Sequence, residues 1–147
     1  MYHPNDRSIT LCMVVKDEEV RIADCLEPVL GEVDEVIVID TGSTDGTRDL
    51  LRDRFGIIAL NDRLRDERCL TKIDVRNRAI NAAKTGWILS LDADEIIEAG
   101  AIKAFRNAPA KPEVAGYFGL WRNHLVGSPP FDDYKCFLFR SDRRMRG

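Results

Sequence analysis

The sequence predicts an α/β domain built on a mostly parallel sheet with helices on both faces. Short apolar, β-branched runs recur at Ser8–Val15 (SITLCMVV), Glu35–Ile39 (EVIVI), Ile57–Leu60 and Trp87–Leu91 (WILSL). Segments with apolar residues at helical spacing separate them, and this alternation implies parallel strands joined by crossover helices. The segments that follow the first, second and fourth runs are acid-rich: Lys16–Glu18, Asp40–Asp45 and Asp92–Glu95. Open sheets of this class bind ligands at the carboxyl ends of their strands, so these three segments mark the expected site.

Each element has its own signals. Ser8–Val15 reads as a buried strand. A helix is expected over Glu18–Leu30, with Ile22, Leu26, Val29 and Leu30 on one face and Gly31 as its stop. Glu35–Ile39 is a second buried strand, running into the turn-rich Asp40–Thr47 (DTGSTDGT). Thr44 or Asp45 can cap the next helix, which carries Leu50 and Leu51 and ends at Gly56. Ile57–Leu60 is a third strand and Asn61–Cys69 a charged loop. A helix over Thr71–Lys84 is expected to turn Ile73, Ile80 and Ala83 inward. After Gly86 comes the strand Trp87–Leu91. Glu98–Asn107 is a helix, stopped by Pro109 and Pro112. Gly116–Trp121 and Lys135–Arg140 are strands around a polar, Pro-containing loop. Tyr117, Phe118 and Trp121 read as core rather than a sugar platform, although the Trp121–Phe131 loop could touch an acceptor.

Composition narrows the function classes. The chain has 147 residues, 44% of them hydrophobic and 32% charged, with a formal net charge of −3. That is too apolar for a disordered chain and too acidic for a general nucleic-acid binder. No apolar run reaches the roughly 18 residues of a membrane span. Met1–Thr10 has no apolar h-region, so no secretory signal is expected. Cys12, Cys25, Cys69 and Cys136 form no C-x-x-C pair and have no His at ligand spacing; Cys12 and Cys25 read as small buried hydrophobes. Free thiols without an export signal place the chain in the cytoplasm. His3 and His124 are isolated and read as terminal and surface residues. Arg140, Arg143, Arg144 and Arg146 make a basic tail, too short for a nucleic-acid site but able to meet an anionic membrane surface. Without repeats or linkers, residues 1–147 read as one domain.

The acid-rich segments carry the chemistry. In extended backbone Asp92 and Asp94 would point the same way and repel unless neutralised. Bound Mg²⁺ or Mn²⁺, bridged to a diphosphate, would do so. The alternative is a solvated acidic turn that starts the next helix, with Asp94 and Glu95 favouring its dipole. Asp40 ends an apolar strand and can either accept hydrogen bonds from a base or ribose or simply cap its turn. Arg76 and Asn77 lie opposite the Ile73/Ile80 stripe, either on a solvated face or with Arg76 aimed at a diphosphate in the crevice.

These pieces occur in a familiar order. VVKDEE, EVIVIDTGSTDGT and RNRAINAAKTGWILSLDADE together resemble the family 2 glycosyltransferases of the GT-A (Rossmann-like) fold. The match runs from about Ile9 to Glu95 and continues weakly through DYKCFLFRSD. DTGSTDGT with GWILSLDADE is most similar to the bacterial branch that includes lipopolysaccharide-core β1,4-glucosyltransferases. The resemblance implies a metal-dependent, inverting transfer of a sugar, such as glucose, from a UDP-sugar donor to a cell-envelope saccharide or glycolipid acceptor. It implies that Asp40 contacts uracil or ribose, that Val15 and Lys16 line the base pocket, and that Arg76 faces the base or diphosphate. Asp92 and Asp94 become the metal-binding D-x-D, with Asp94 the more direct ligand and Asp92 nearer the ribose. Thr41 stands where the commoner family pattern has a second Asp.

Family members place an acidic general base, and in this branch a His-Glu pair, downstream of a segment like FLFRSDRRMRG; this sequence ends at Gly147. The expectation is a C-terminally incomplete domain: residues 1–107 as the donor half and 108–147 as part of the acceptor half. Glu95, Asp132 and Asp133 are the nearby carboxylates that could serve as base. Two other readings stay open, a nucleotide-sugar-binding unit without catalysis and a phosphatase or phosphotransferase using the D-x-D pair. The second normally carries its motif after the first strand.

Overall fold

The structure is a computed structural model that describes residues 5–61 and 72–143. His3, Cys69, Thr71, most of the Asn61–Cys69 loop, Arg144, Arg146 and the side chain of Arg143 lie outside the described residues.

Six strands form one sheet: β1 (Ile9–Val15), β2 (Glu35–Asp40), β3 (Leu60–Asn61), β4 (Trp87–Ser90), β5 (Gly116–Asn123) and β6 (Phe131–Arg140), in the order β3-β2-β1-β4-β6-β5. β1 is flanked in parallel by β2 and β4, and β2 pairs in parallel with β3. β6 lies antiparallel to β4, and β5 antiparallel to β6. The predicted parallel core is present, extended on one side by an antiparallel hairpin. The chain reverses its direction of travel across the sheet between β1 and β4, and an open α/β sheet has its crevice at such a switch point. Val15 pairs with Asp40 and Cys12 with Ser90, so all the acidic turns leave from one edge.

Alternation along β1 builds two cores, one on each side. Ile9, Leu11, Met13 and Val15 face α1 (Ile22–Leu26), α2 (Thr47–Phe55) and α4 (Ala101–Asn107), packing with Ile22, Leu26, Leu51, Ile102 and Phe105. Cys12, with Ile37, Ile39 and Ile88, faces α3 (Lys72–Ala82) through Val75, Ala79 and Ile80. Trp87 is fully buried, edge-on to Phe105 at 4.7 Å, and its indole N–H donates to the Asp6 carbonyl at 2.9 Å. Among the described residues no helix is long and apolar enough to cross a membrane.

Several expected elements take a different form. The single helix over Glu18–Leu30 is instead the short α1 followed by a 3₁₀ turn at Leu30–Glu32 that contains Gly31, because Pro28 interrupts the run and has no amide to donate. The third strand is only Leu60–Asn61; Ile58 is exposed, and β3 pairs on one side alone. Ile73 is 67% exposed rather than inward, since it lies in the first turn of α3, ahead of the stretch that packs on the sheet. Ile80 and Ala83 do face inward. α4 starts at Ala101, after Gly100 takes φ +88°. β6 begins at Phe131, since hairpin pairing continues past the apolar stretch. Tyr117 packs on Trp87 and Phe105, but Phe118 stands on the other face of β5 and is 68% exposed, so it is not core.

Leu89, fully buried in the central strand β4, tests this packing. Leu89→Ala is expected to cost about 2–5 kcal/mol, read as a lower urea midpoint with an unchanged slope.

Candidate functional site

Two loops at the carboxyl edge are stitched together by reciprocal hydrogen bonds. Asp17 follows β1 with φ +54°, a left-handed conformation that Asp tolerates better than most residues. Its amide donates to the Ser43 hydroxyl at 2.9 Å, and its Oδ1 accepts the Thr44 amide at 2.7 Å. The Glu18 amide donates to Thr47 Oγ1 at 2.8 Å, and Glu19 Oε2 accepts the Gly46 amide at 2.6 Å. Asp45 Oδ1 accepts the Thr47 amide at 2.9 Å, but the N-cap of α2 is Gly46 rather than the expected Thr44 or Asp45, and that cap carries no side-chain hydrogen bond among the described residues.

Asp40 ends β2 with no solvent exposure. Its Oδ1 accepts the Gly42 and Ser43 amides, each at 2.9 Å, and lies 3.5 Å from Arg48 Nη1. Gly42 has φ +117°, which a side chain would strain. Burial alone would raise the Asp40 carboxyl. Hydrogen bonds from Ser43 and Gly42 and the Arg48 charge outweigh it and hold the group below the ordinary carboxylate value. The other oxygen, Oδ2, is buried without a hydrogen-bond partner among the described residues. An orphaned carboxylate oxygen in a rigid cradle is a costly arrangement that a bound N–H or O–H would relieve.

Asp92–Glu95 is a turn rather than extended chain: β4 ends at Ser90 and the Glu95 amide donates to the Asp92 carbonyl at 3.0 Å. Asp92 and Asp94 are therefore not two successive positions on one face of a strand. Asp92 Oδ1 is paired with Arg76 of α3, and Oδ2 lies 3.7 Å from Lys135 Nζ of β6. Arg76 thus reaches the crevice. Glu95 Oε2 accepts the Asp92 amide at 2.8 Å, and both its oxygens accept from Lys135 Nζ at 2.6 Å. Asp94 is exposed and makes no hydrogen bond or ion pair among the described residues. Burial raises the Glu18 carboxyl above its ordinary value, and the Asp94 charge raises it further, so the first and fourth strand ends share one acidic field. Beneath the turn, the Cys25 thiol donates to the Asp92 carbonyl at 3.4 Å; burial and the charges of Glu95, Asp94 and Asp92 push it up to about 12, which makes it inert.

The remaining expected residues lie around this centre. Val15 is buried, with its side chain in the core and its carbonyl accepting the Thr41 amide at 3.0 Å, while Lys16 is exposed. Thr41 is buried beside Asp40. A cavity of about 720 Å³ opens next to the turn, lined by Asp94, Glu95, Glu98, Trp121, His124 and Phe137 among others. Trp121 and Phe137 meet on its wall as a tilted pair, centroids 5.6 Å apart at 43°. Asp132 pairs with Arg122 at 2.9 Å, and Asp133 Oδ1 accepts the Tyr134 amide at 2.7 Å. Among the described residues no three His, Cys, Asp or Glu side chains are placed to hold a metal alone. The sequence reading did not single out Lys135, Arg48 or Asp17. Only Asp17 carried a signal, as part of an acid-rich strand end.

Residues 10–145 match Glycosyl transferase family 2. The chain belongs to that family. A TPR repeat-containing protein of Synechococcus elongatus is 35% identical to this family 2 chain over 139 residues, 94% of the chain and 33% of that protein. The SPbeta prophage-derived glycosyltransferase SunS of Bacillus subtilis is 30% identical over 139 residues, 94% of the chain and 31% of that protein. The chain thus spans about a third of the length of these curated relatives. Among solved structures, S. aureus TarS 1-349 in complex with UDP-GlcNAc superposes with a TM-score of 0.52 at 23% identity, over 67% of this chain and 30% of that one. Glucosyl-3-phosphoglycerate synthase from Mycobacterium tuberculosis, in complex with Mn²⁺ and UDP-Glc, gives a TM-score of 0.50 at 24% identity, over 61% and 34%. At that identity the likeness speaks for the fold, which is that of the GT-A glycosyltransferases.

The Asp40 cradle has a pH signature. A carboxyl held below its ordinary value in the folded state adds stability that is present above the unfolded value, about 4, and is lost as pH falls through the folded value. The stability gap between wild type and Asp40→Asn is therefore expected to narrow as pH drops below about 4 in a denaturation series. A gap that is constant with pH would contradict the assignment.

Proposed function

We propose that this family 2 chain binds a UDP-sugar with Mg²⁺ or Mn²⁺ and carries the donor part of an inverting glycosyltransferase. The observation that carries the reading is the orphaned Oδ2 of Asp40, buried in a preorganised cradle at the switch-point edge that also presents Asp94. That oxygen accepts a hydrogen bond from the uracil N–H or a ribose hydroxyl. Thr41, the Val15 backbone and Lys16 border the same strand ends, and Arg76 stands beside Asp92, where it can turn to the diphosphate.

The residues fit a divalent cation in the way hard cations meet nucleotides, through one or two carboxylates with the remaining ligands from phosphate and water. Asp94 is the open carboxylate and Asp92 the second. A cation held there would stabilise the charge on the departing diphosphate as the acceptor hydroxyl attacks the anomeric carbon. The cavity beside the turn offers the Trp121–Phe137 surface to the transferred sugar or the acceptor. In this proposal residues 1–107 serve the donor and 108–147 begin the acceptor side. The donor sugar is glucose or a close relative and the acceptor a saccharide of the cell envelope, met at the inner membrane face. Its support is the DTGSTDGT and GWILSLDADE resemblance to the lipopolysaccharide-core branch.

One observation favours a second reading, donor binding without transfer. Glu95 is committed to Lys135 and Asp132 to Arg122, while Asp133 gives one oxygen to the Tyr134 amide, so cations already engage two of the three carboxylates that could deprotonate an acceptor. The position of D-x-D after β4, with membership of family 2, argues against the phosphatase reading.

Calorimetric titration of UDP into the chain, with and without Mn²⁺, tests the site. Binding is expected to require Mn²⁺ and to weaken roughly 10–100-fold in Asp94→Ala. Asp40→Asn is expected to weaken UDP with Mn²⁺ but leave inorganic diphosphate with Mn²⁺ unchanged. A folded wild-type chain that ignores UDP would refute the reading.

A further inference from the structure

We propose that Lys135 makes cation binding at the Asp92–Glu95 turn depend on the donor's diphosphate. The inference rests on the donor-site reading above and concerns how that site is kept from filling too early.

Lys135 rises from β6, on the antiparallel hairpin, not from the parallel strands that form the site. Its ammonium donates to both oxygens of Glu95 at 2.6 Å, lies 3.7 Å from Asp92 Oδ2 and sits 5.6 Å over the Trp121 ring. Arg76 approaches Asp92 from the opposite element and takes its other oxygen. Of the three carboxylates in the turn, two are therefore compensated by fixed cations. Among the described residues, only Asp94 of the three has no such partner.

A single exposed carboxylate binds Mg²⁺ or Mn²⁺ weakly, because the ion gives up its water reluctantly. Diphosphate oxygens supply what the protein withholds, so metal and nucleotide arrive as a pair. Without the Lys135 charge, Glu95 and one oxygen of Asp92 become uncompensated hard ligands beside Asp94. The turn would then take a cation without any nucleotide. Lys135 is in this sense a positioning residue, acting through Glu95 and Asp92. A purely structural role predicts the opposite sign: loss of the clamp would loosen the turn and weaken metal binding.

The test is a titration of Mn²⁺ alone, following the paramagnetic resonance of the free ion, for wild type, Lys135→Met and Lys135→Gln. Gln keeps a neutral donor toward Glu95 if Met proves too disruptive, and circular dichroism with cooperative unfolding qualifies each variant. Wild type is expected to bind Mn²⁺ weakly alone and much more tightly with saturating UDP. Both variants are expected to bind Mn²⁺ alone about tenfold more tightly, with a correspondingly smaller gain from UDP. In a Glu95→Gln background the effect of Lys135→Met is expected to shrink. Folded variants with equal or weaker affinity for Mn²⁺ alone overturn the inference and leave the donor site standing. A wild type that binds Mn²⁺ tightly without UDP also overturns it. A wild type that takes no Mn²⁺ even with UDP overturns the donor-site reading and this inference together.

Discussion

Negative charge gathered at one edge of the sheet is the condition that the rest of this molecule accommodates. Parallel pairing of β1 with β2 and β4 sends three acid-rich turns out from the same edge. Each is compensated by a different device. Asp17, Asp45 and Glu19 spend their oxygens on backbone amides of the neighbouring loop, which stiffens both turns. Asp40 is buried and held by amides and Arg48, with one oxygen left unmatched. Asp92 and Glu95 are met by Arg76 and Lys135. Among the described residues, the carboxylates of exposed Asp94 and half-buried Glu18 are left without a hydrogen bond or ion pair. The donor-site proposal rests on two of the groups the fold leaves unmatched there, the buried Asp40 Oδ2 and the exposed Asp94.

Much of this was legible because the sequence writes it locally. The apolar runs of β1, β2 and β4 have no competing period, and each is followed at once by its acidic turn. Strand end and candidate site were therefore found in the same place. Asp40 could be placed because a carboxylate closing the apolar run Val36–Ile39 marks the strand end, although the fold keeps it buried in a cradle of amides. The helix stops at Gly56 and Asn107 were legible for the same reason, since capping chemistry is a matter of a few neighbouring residues.

What could not be read depends on partners distant in sequence. Glu95 and Lys135 are 40 residues apart, and nothing near either one announces the pair. The turn at Asp92–Glu95 is held by that pair together with the Asp92 amide, so a reading based on extended backbone gave the wrong geometry. Ile73 has the right helical phase but the wrong position along the sheet, and phase is all a periodicity argument detects. Phe118 failed in a similar way. Aromatic character suggests burial, but an edge strand has two faces and the fold covers only one of them well.

The hairpin changes what a division into donor and acceptor halves can mean. β5 and β6 come after the parallel strands in the chain, yet β6 pairs directly with β4 and sends Lys135 into the D-x-D turn. The same hairpin supplies Trp121, which lies under the Lys135 ammonium and on the cavity wall. A movement of the hairpin would therefore alter the wall of the cavity and the charge balance of the turn together. Under the donor-site proposal, a side chain at the turn that also borders the cavity would give donor and acceptor a physical route of communication. It needs no relay through the core, because one ammonium touches both.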